Sequence, residues 1–338
     1  MEKILTVSIA AYNVETTLKE CLDPFVRCRH KDELEVLIIN DGSKDKTATI
    51  ANEYVEKYPD TFFIVNKENG GWGSTLNSGI RKGTGKYFKQ LDGDDYFSYE
   101  NIDIFIEFLK QVDEDMVYSP FVMFTDKNGA ILKVVGNYGN TVPIGEKMTM
   151  GEIPGFAPAM HTLCIKLNIL KKNKVHITEN CFYTDVEFVL KCCHRCENLI
   201  LFNLPIYYYR LAHSGQSMSI QGVRKHYKDH LKMLYTMLNY GKKYTMDTPV
   251  QEIFKRRLLS ACEFQYIFFF ALECTKEQKK EFIQYDTLLK NDFPVYYQSI
   301  RNNAVKLLRK MHFIGYKIIA KIQTVRDKKR KINIFEGC

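Results

Sequence analysis

The stretch that most limits the folds open to this chain is Leu34-Glu35-Val36-Leu37-Ile38-Ile39-Asn40. Its apolar run lacks the alternation of a half-exposed strand, so it predicts a strand covered on both faces, as in a parallel sheet. Parallel neighbours need crossovers, and the flanking sequence supplies them. A strand over residues 4–11 is broken by Tyr12-Asn13, and Glu15 to Cys21 resumes with helical spacing at Leu18 and Leu22. After Asp41-Gly42-Ser43-Lys44-Asp45 the pattern predicts a helix over 46–57 and a strand over 62–65. A glycine-rich loop follows at 69–74, then a helix over 75–82 and a strand over 86–91. This alternation predicts an α/β fold: an open, Rossmann-like, mostly parallel central sheet with helices on both faces.

Ligands of such sheets collect beyond the carboxyl ends of the strands. The polar groups that fall there are Tyr12-Asn13, Asp41-Gly42-Ser43, the loop at 69–74 and Asp92-Gly93-Asp94-Asp95. The last places three carboxylates within four residues. Like charges this close raise one another's pKa, and a divalent cation that accepts hard oxygen ligands, Mg²⁺ or Mn²⁺, relieves the repulsion. The plain alternative is a solvated acidic turn. The glycine loop has neither the Gly-x-x-x-x-Gly-Lys-Ser/Thr order of a P-loop nor the Gly-x-Gly-x-x-Gly of a dinucleotide fold, which argues against a conventional ATPase or dehydrogenase.

Six ordered motifs resemble the family 2 inverting glycosyltransferases of the GT-A, nucleotide-diphosphosugar transferase fold. They are Val7 to Asn13, Ile38-Ile39-Asn40-Asp41-Gly42-Ser43-Lys44-Asp45, Asn69-Gly70-Gly71, Asn77-Ser78-Gly79-Ile80, Gly85-Lys86-Tyr87 and Leu91-Asp92-Gly93-Asp94-Asp95. The variant Gly73-Ser74-Thr75-Leu76-Asn77-Ser78-Gly79 is similar to a branch found among bacterial cell-surface polysaccharide enzymes. The resemblance implies a UDP-sugar donor, an Mn²⁺ or Mg²⁺ cofactor, and a glycan or lipid-linked saccharide acceptor. It implies a nucleotide-sugar site made of Ala11, Tyr12, Asn13, Asp41, Asn69, Gly70, Asn77, Asp92, Gly93 and Asp94, with Ala11 and Tyr12 against the base and Asp41 accepting from its imide. Asp92 would hold ribose or sugar, and Asp94, with Asp92, the metal; Asp95 is a further candidate. Leu76 stands where many members carry an Arg.

Beyond the acidic motif, the pattern predicts a helix over 102–112, strands over 116–124 and 130–135, and a strand over 158–166 holding His161, a candidate for the acceptor side or a core residue. Where family members carry an acidic pair before an apolar helix, this chain has Thr184-Asp185, so the resemblance makes Asp185 the general base; an N-cap role is the alternative reading and Glu187 the rival base. After a strand over 199–202, residues 204–219 resemble the strand and loop that close the family's site, with Arg210, His213, Gln216 and Ser217 as candidates for diphosphate or metal. The expected division is a catalytic domain over 1–220 and a helical region over 221–338.

The ten cysteines form no paired framework, and Cys192-Cys193-His194-Arg195-Cys196 lacks a second ligand pair at zinc spacing, so a reducing cytoplasm is expected. No apolar run reaches the ~20 residues that cross a bilayer. Net charge is +8, yet residues 301–338 alone hold eleven Lys/Arg against Asp327 and Glu336. Within them Leu307, Met311, Ile314, Ile318, Ile322 and Val325 recur at three- and four-residue steps beside Lys306, Lys310, Lys317 and Lys321. This predicts one basic amphipathic helix over 306–325, either seated on an anionic membrane at the inner face or packed on the core. No nucleic-acid reading motif accompanies the charge. Two other functions compete: a catalytically inactive scaffold subunit of a glycan assembly complex, and a sugar nucleotidyltransferase. The second lacks its glycine-rich loop with Arg and Lys near residues 10–20.

Overall fold

A computed structural model describes residues 2–126, 129–211 and 220–329. The chain divides into two compact units, residues 1–213 and 214–338.

In the first unit, strands β1 (Leu5–Ala11), β2 (Leu34–Asn40), β3 (Phe62–Asn66) and β4 (Tyr87–Asp92) alternate with helices α1 (Leu18–Arg27), α2 (Thr47–Lys57) and α3 (Trp72–Lys82). The four strands are parallel in the order 3-2-1-4. Chain order reverses between β1 and β4, which opens the crevice where such sheets bind ligands. Every residue of β2 is buried, as its unbroken apolar run requires. The one acid in it, Glu35, accepts from Thr6 Oγ1 (2.6 Å) and from Thr84 N (2.7 Å) and Oγ1 (2.9 Å).

The sheet continues beyond β4 through β10 (Leu163–Lys166), β6 (Met116–Tyr118), β11 (Leu199–Leu201) and β9 (Lys147–Met148). Here β10 runs antiparallel to both β4 and β6. A second, four-stranded sheet, not anticipated from sequence, takes the order β5-β12-β7-β8: β5 is Tyr96–Phe97, β12 Tyr207–Leu211, β7 Phe121–Thr125 and β8 Ile131–Val135. It exists because the expected strand over 116–124 is two strands. Pro120 has no N–H to give a ladder, so the chain leaves one sheet after Tyr118 and enters the other at Phe121. Two other bounds also differ: α1 begins at Leu18 and runs past Pro24 to Arg27, and α3 begins at Trp72 inside the glycine loop. Helices α4 (Ile102–Gln111), α5 (Leu167–Lys172) and α6 (Asp185–Arg195) complete this unit.

Helix α3 reaches β1 through a glycine. A Cβ on Gly79 would lie 2.1 Å from Ser8 Oγ and 2.6 Å from Ser8 Cβ. Overpacking of this kind costs about 1–3 kcal/mol, which outweighs the ~1 kcal/mol that alanine gains over glycine inside a helix. Gly79→Ala should therefore lower the urea midpoint, and adding Ser8→Gly should recover most of the loss; an unchanged midpoint in the single variant would refute this packing.

The second unit is helical: α7 (Ile220–Lys243), α8 (Thr248–Ala271), α9 (Lys276–Asp292), α10 (Pro294–Ser299), α11 (Asn303–Lys310) and α12 (Tyr316–Lys329). Aromatic side chains fill its core, with Tyr266, Phe269, Phe282 and Tyr285 in mutual contact. The single amphipathic helix expected over 306–325 is instead two helices. His312, Phe313 and Gly315 adopt positive φ and break the helical hydrogen bonding between α11 and α12. No described helix is long and apolar enough to cross a membrane.

Candidate active site

The carboxyl ends of β1, β2 and β4 present Tyr12, Asp41 and the acidic turn, as the sheet order dictates. Ala11 is buried, while Tyr12 is half exposed at the rim. Asn13, at φ 53, uses its side chain to accept from Lys44 N at 2.8 Å, and its own N–H donates to Ser43 Oγ at 3.1 Å. It therefore joins two loops.

Asp41 is buried and already occupied. Its Oδ1 accepts from Lys67 Nζ (2.5 Å) and Gly70 N (2.9 Å), and its Oδ2 accepts from Gly71 N (2.8 Å). Asn69 Nδ2 donates to the Asp41 carbonyl at 3.0 Å. A buried carboxylate at the foot of the loop thus draws the loop's N–H groups inward, which sets the path of residues 69–71. Ser74 Oγ donates to Oδ1 as well, at 3.4 Å, which fills the roughly four acceptor positions of a carboxylate; Lys67, on a flexible side chain, is the donor that can swing away to admit another. Lys67 was not singled out from sequence.

The acidic turn is the most strongly coupled part of the site. Carboxylate oxygens of Asp92, Asp94 and Asp95 lie within 4.8 Å of one another. Burial first, and the Asp94 charge second, push Asp92 up to about 7, with Asp185 adding to the shift. Asp95 is raised well above the usual carboxylate range, again by burial and then by Asp94 and Asp92. A cluster that resists full ionisation gains from added positive charge, and its all-oxygen donors suit Mg²⁺ or Mn²⁺. Asp92 and Asp94 fit that role. Asp95 is buried, its Oδ2 accepts from Tyr207 Oη (2.6 Å), and its Oδ1 accepts from Arg210 N (2.7 Å), so it also ties the turn to β12. Gly93 N donates to the Ala10 carbonyl at 3.0 Å, which clips the turn to β1.

Arg210 is buried and braces the turn. Its Nε donates to the Asp94 carbonyl at 2.7 Å, and its guanidinium pairs with Glu20 and Asp126. Tyr207 Oη, which donates to Asp95, also accepts from Asp92 N at 3.2 Å, so β12 holds the turn at two points. Trp72, the chain's one tryptophan, donates from Nε1 to Asp92 Oδ1 at 2.7 Å and packs edge-on to Phe188 of α6. Neither Tyr207 nor Trp72 was anticipated; an aromatic in a glycine loop was the available signal.

Asp185 opens α6 as its first helical residue, with Thr184 at the N-cap and no side-chain cap bond there. The N-cap alternative for Asp185 therefore falls away. The segment before it is unusual: Asn180 and Tyr183 both take positive φ (50° and 64°). For a bulky residue such as Tyr183 this is a costly conformation, found where surrounding contacts enforce it. The stretch just before it is tied down. Asn180 N donates to the Gly70 carbonyl at 2.6 Å. Asn77 gives Nδ2 to Ile177 O (2.8 Å) and Glu179 Oε1 (2.9 Å), and takes Ile177 N on Oδ1 (2.8 Å). Asn77 thus anchors the segment leading to Asp185 and is not itself a donor-sugar contact. Glu187 is buried, accepting from Thr178 N (3.1 Å) and Lys191 Nζ (2.6 Å), which removes the rival base.

His161 stacks on Phe121 and meets Tyr207 and Tyr209 at ring centroid distances of 4.6–4.8 Å. Burial, then the nearby Lys89, pushes its pKa down to about 3. The unfolded chain, near 6.5, binds the extra proton between those values, so stability is lost as pH falls from about 6.5 towards 3. The difference in stability between wild type and His161→Gln should therefore shrink as pH falls through this window, measured by urea unfolding; a constant difference would contradict the neutral buried imidazole. His213, Gln216 and Ser217 lie outside the described residues.

Residues 6–166 match the family model for glycosyl transferase family 2. It is 34% identical over 130 residues to an uncharacterized glycosyltransferase of Rickettsia prowazekii, covering 38% of this chain and 39% of that one. It is 33% identical over 113 residues to the minor teichoic acid biosynthesis protein GgaB of Bacillus subtilis, covering 32% and 13%. The chain thus spans about two fifths or less of these relatives' lengths. Among solved structures, Staphylococcus aureus TarS 1–349 in complex with UDP-GlcNAc aligns with a TM-score of 0.67 at 18% identity, over 97% of this chain and 92% of that one. The mannosyltransferase PcManGT of Pyrobaculum calidifontis, in complex with GDP-Man and Mn²⁺, aligns with a TM-score of 0.53 at 15% identity, over 97% and 88%. The fold is the one these two share.

Proposed function

We propose that this chain is an inverting glycosyltransferase that moves a sugar from a UDP-sugar to a glycan or lipid-linked saccharide in bacterial cell-surface polysaccharide synthesis. The observation that carries this reading is geometric: Trp72 donates to Asp92 of the acidic turn and packs on Phe188 of the helix that Asp185 opens, so a prospective base and a prospective diphosphate site share one crevice. The neighbour bound to UDP-GlcNAc, and the name of the teichoic acid relative, support the donor and the pathway.

In this reading Asp185 takes the proton of the acceptor hydroxyl. The oxygen attacks the anomeric carbon from the side opposite the nucleotide, the bond from that carbon to the β-phosphate oxygen breaks, and UDP leaves with the electron pair. A base placed within hydrogen-bond reach is worth about 10²–10⁴-fold. Asp92 and Asp94 would hold Mg²⁺ or Mn²⁺, which would supply positive charge for the departing diphosphate. Trp72 orients Asp92, while Tyr207, Asp95 and Arg210 hold the turn that carries Asp94. Calorimetric titration with UDP, GDP and ADP in the presence of Mn²⁺ tests the donor class: UDP should bind at least about tenfold tighter than the others, a gap of ~1.4 kcal/mol. Equal affinities would remove the uracil assignment to Asp41.

A further inference from the structure

Helices α11 and α12 are apolar on two sides, and among the described residues only one side is used in packing. Val305, Leu308, Tyr316 and Ala320 are buried in the helical unit. Tyr316 Oη donates to the Phe269 carbonyl at 3.2 Å, and Thr324 Oγ1 to the Phe270 carbonyl at 2.8 Å, which fixes the inner face of α12. Residues along a helix turn by about 100° each. That places Ile318, Ile322 and Val325 on the side opposite Tyr316 and Ala320. All three are about half or more exposed, as is Ile314 just before the helix (67%). Leu307 and Met311, from α11 and the break after it, are exposed too.

A row of large aliphatic side chains left in water is unfavourable by roughly 25 cal/mol per Å², and such rows mark surfaces that are covered in use. Charge selects what covers this one. Lys306, Lys310, Lys317 and Lys321 each immediately precede a member of the row, at Leu307, Met311, Ile318 and Ile322, and all four are exposed. The sequence beyond adds Arg326 and Lys328 to Lys331. A second copy of the chain would bring the same lysines against these. A convex helix ridge with lysines beside aliphatics instead matches the boundary between anionic headgroups and acyl chains, where the aliphatics enter and the ammonium groups reach phosphate. We propose that the outward face of α11 and α12 is a docking surface for an anionic bilayer, on which the protein sits without spanning it.

The test uses the full chain with phosphatidylcholine vesicles, with and without phosphatidylglycerol, at low and high salt. Co-sedimentation should need the anionic lipid and fall as salt rises. Ile318→Asp with Ile322→Asp should abolish it, and Lys317→Glu with Lys321→Glu should weaken it by about tenfold or more. Both pairs are at exposed positions, so circular dichroism and UDP affinity should stay at wild-type values. Equal partitioning to neutral vesicles, unchanged binding by the aspartate pair, or no binding at all would overturn the proposal. So would a lipid-free dimer, seen by sedimentation, that the aspartate pair dissolves.

Discussion

Asp185→Asn should lower turnover by about 10² or more while UDP affinity stays at its wild-type value. The substitution keeps the shape of the side chain and removes the proton acceptor. Thr184, not Asp185, occupies the N-cap, so the substitution leaves the N-cap residue in place. What the helix loses is one acid in the first turn, worth about 0.3–1 kcal/mol with the helix dipole. A small shift in melting temperature with a large fall in turnover is thus the expected signature. Turnover within about tenfold of wild type would show that the base lies elsewhere, and Glu187 would not be its replacement, since its carboxylate is committed to Thr178 and Lys191.

Asp94→Ala should remove the metal-assisted part of UDP binding, weakening affinity in Mn²⁺ by about tenfold or more, and bring it to the value measured with chelator. Its effect on the metal-free protein should have the opposite sign. The Asp94 charge contributes to holding both Asp92 and Asp95 above the normal carboxylate range, so its loss relieves repulsion and stability should hold or rise. Trp72 gives a direct readout, since its indole N–H rests on Asp92 and no other tryptophan contributes. Its fluorescence should respond to Mn²⁺ with UDP in the wild type and stay flat in the variant. Equal metal-assisted affinity in the two proteins would remove the metal from Asp94.

The parallel half of the sheet was legible because its signals are local: a near-continuous apolar run for β2, apolar-rich segments for β1 and β4, and polar breaks where each strand ends. Which of the polar residues at those ends remain open to a ligand was not legible, because the answer depends on partners far away in sequence. Asp41 meets Lys67 and the glycine-loop N–H groups, Asn77 meets residues a hundred positions on, and Arg210 meets Glu20. Each of these is a candidate ligand contact that also holds another part of the site in place. The second sheet was hidden for a related reason. Residues 116–124 read as one strand by apolar content, and only Pro120 marked the point where the chain changes sheets. In the C-terminal region the three- and four-residue apolar spacing runs through Met311 to Gly315 uninterrupted, so periodicity carried no sign of the break that positive φ at His312 and Phe313 produces.

The most direct test of the central claim is turnover of a panel of UDP-sugars by the purified chain with Mn²⁺, with UDP release measured and the anomeric configuration of the product read by NMR. The account predicts UDP release from at least one donor, its loss with chelator and in Asp185→Asn, and a product of inverted configuration. Retained configuration, or UDP release that ignores both the chelator and Asp185, would contradict it.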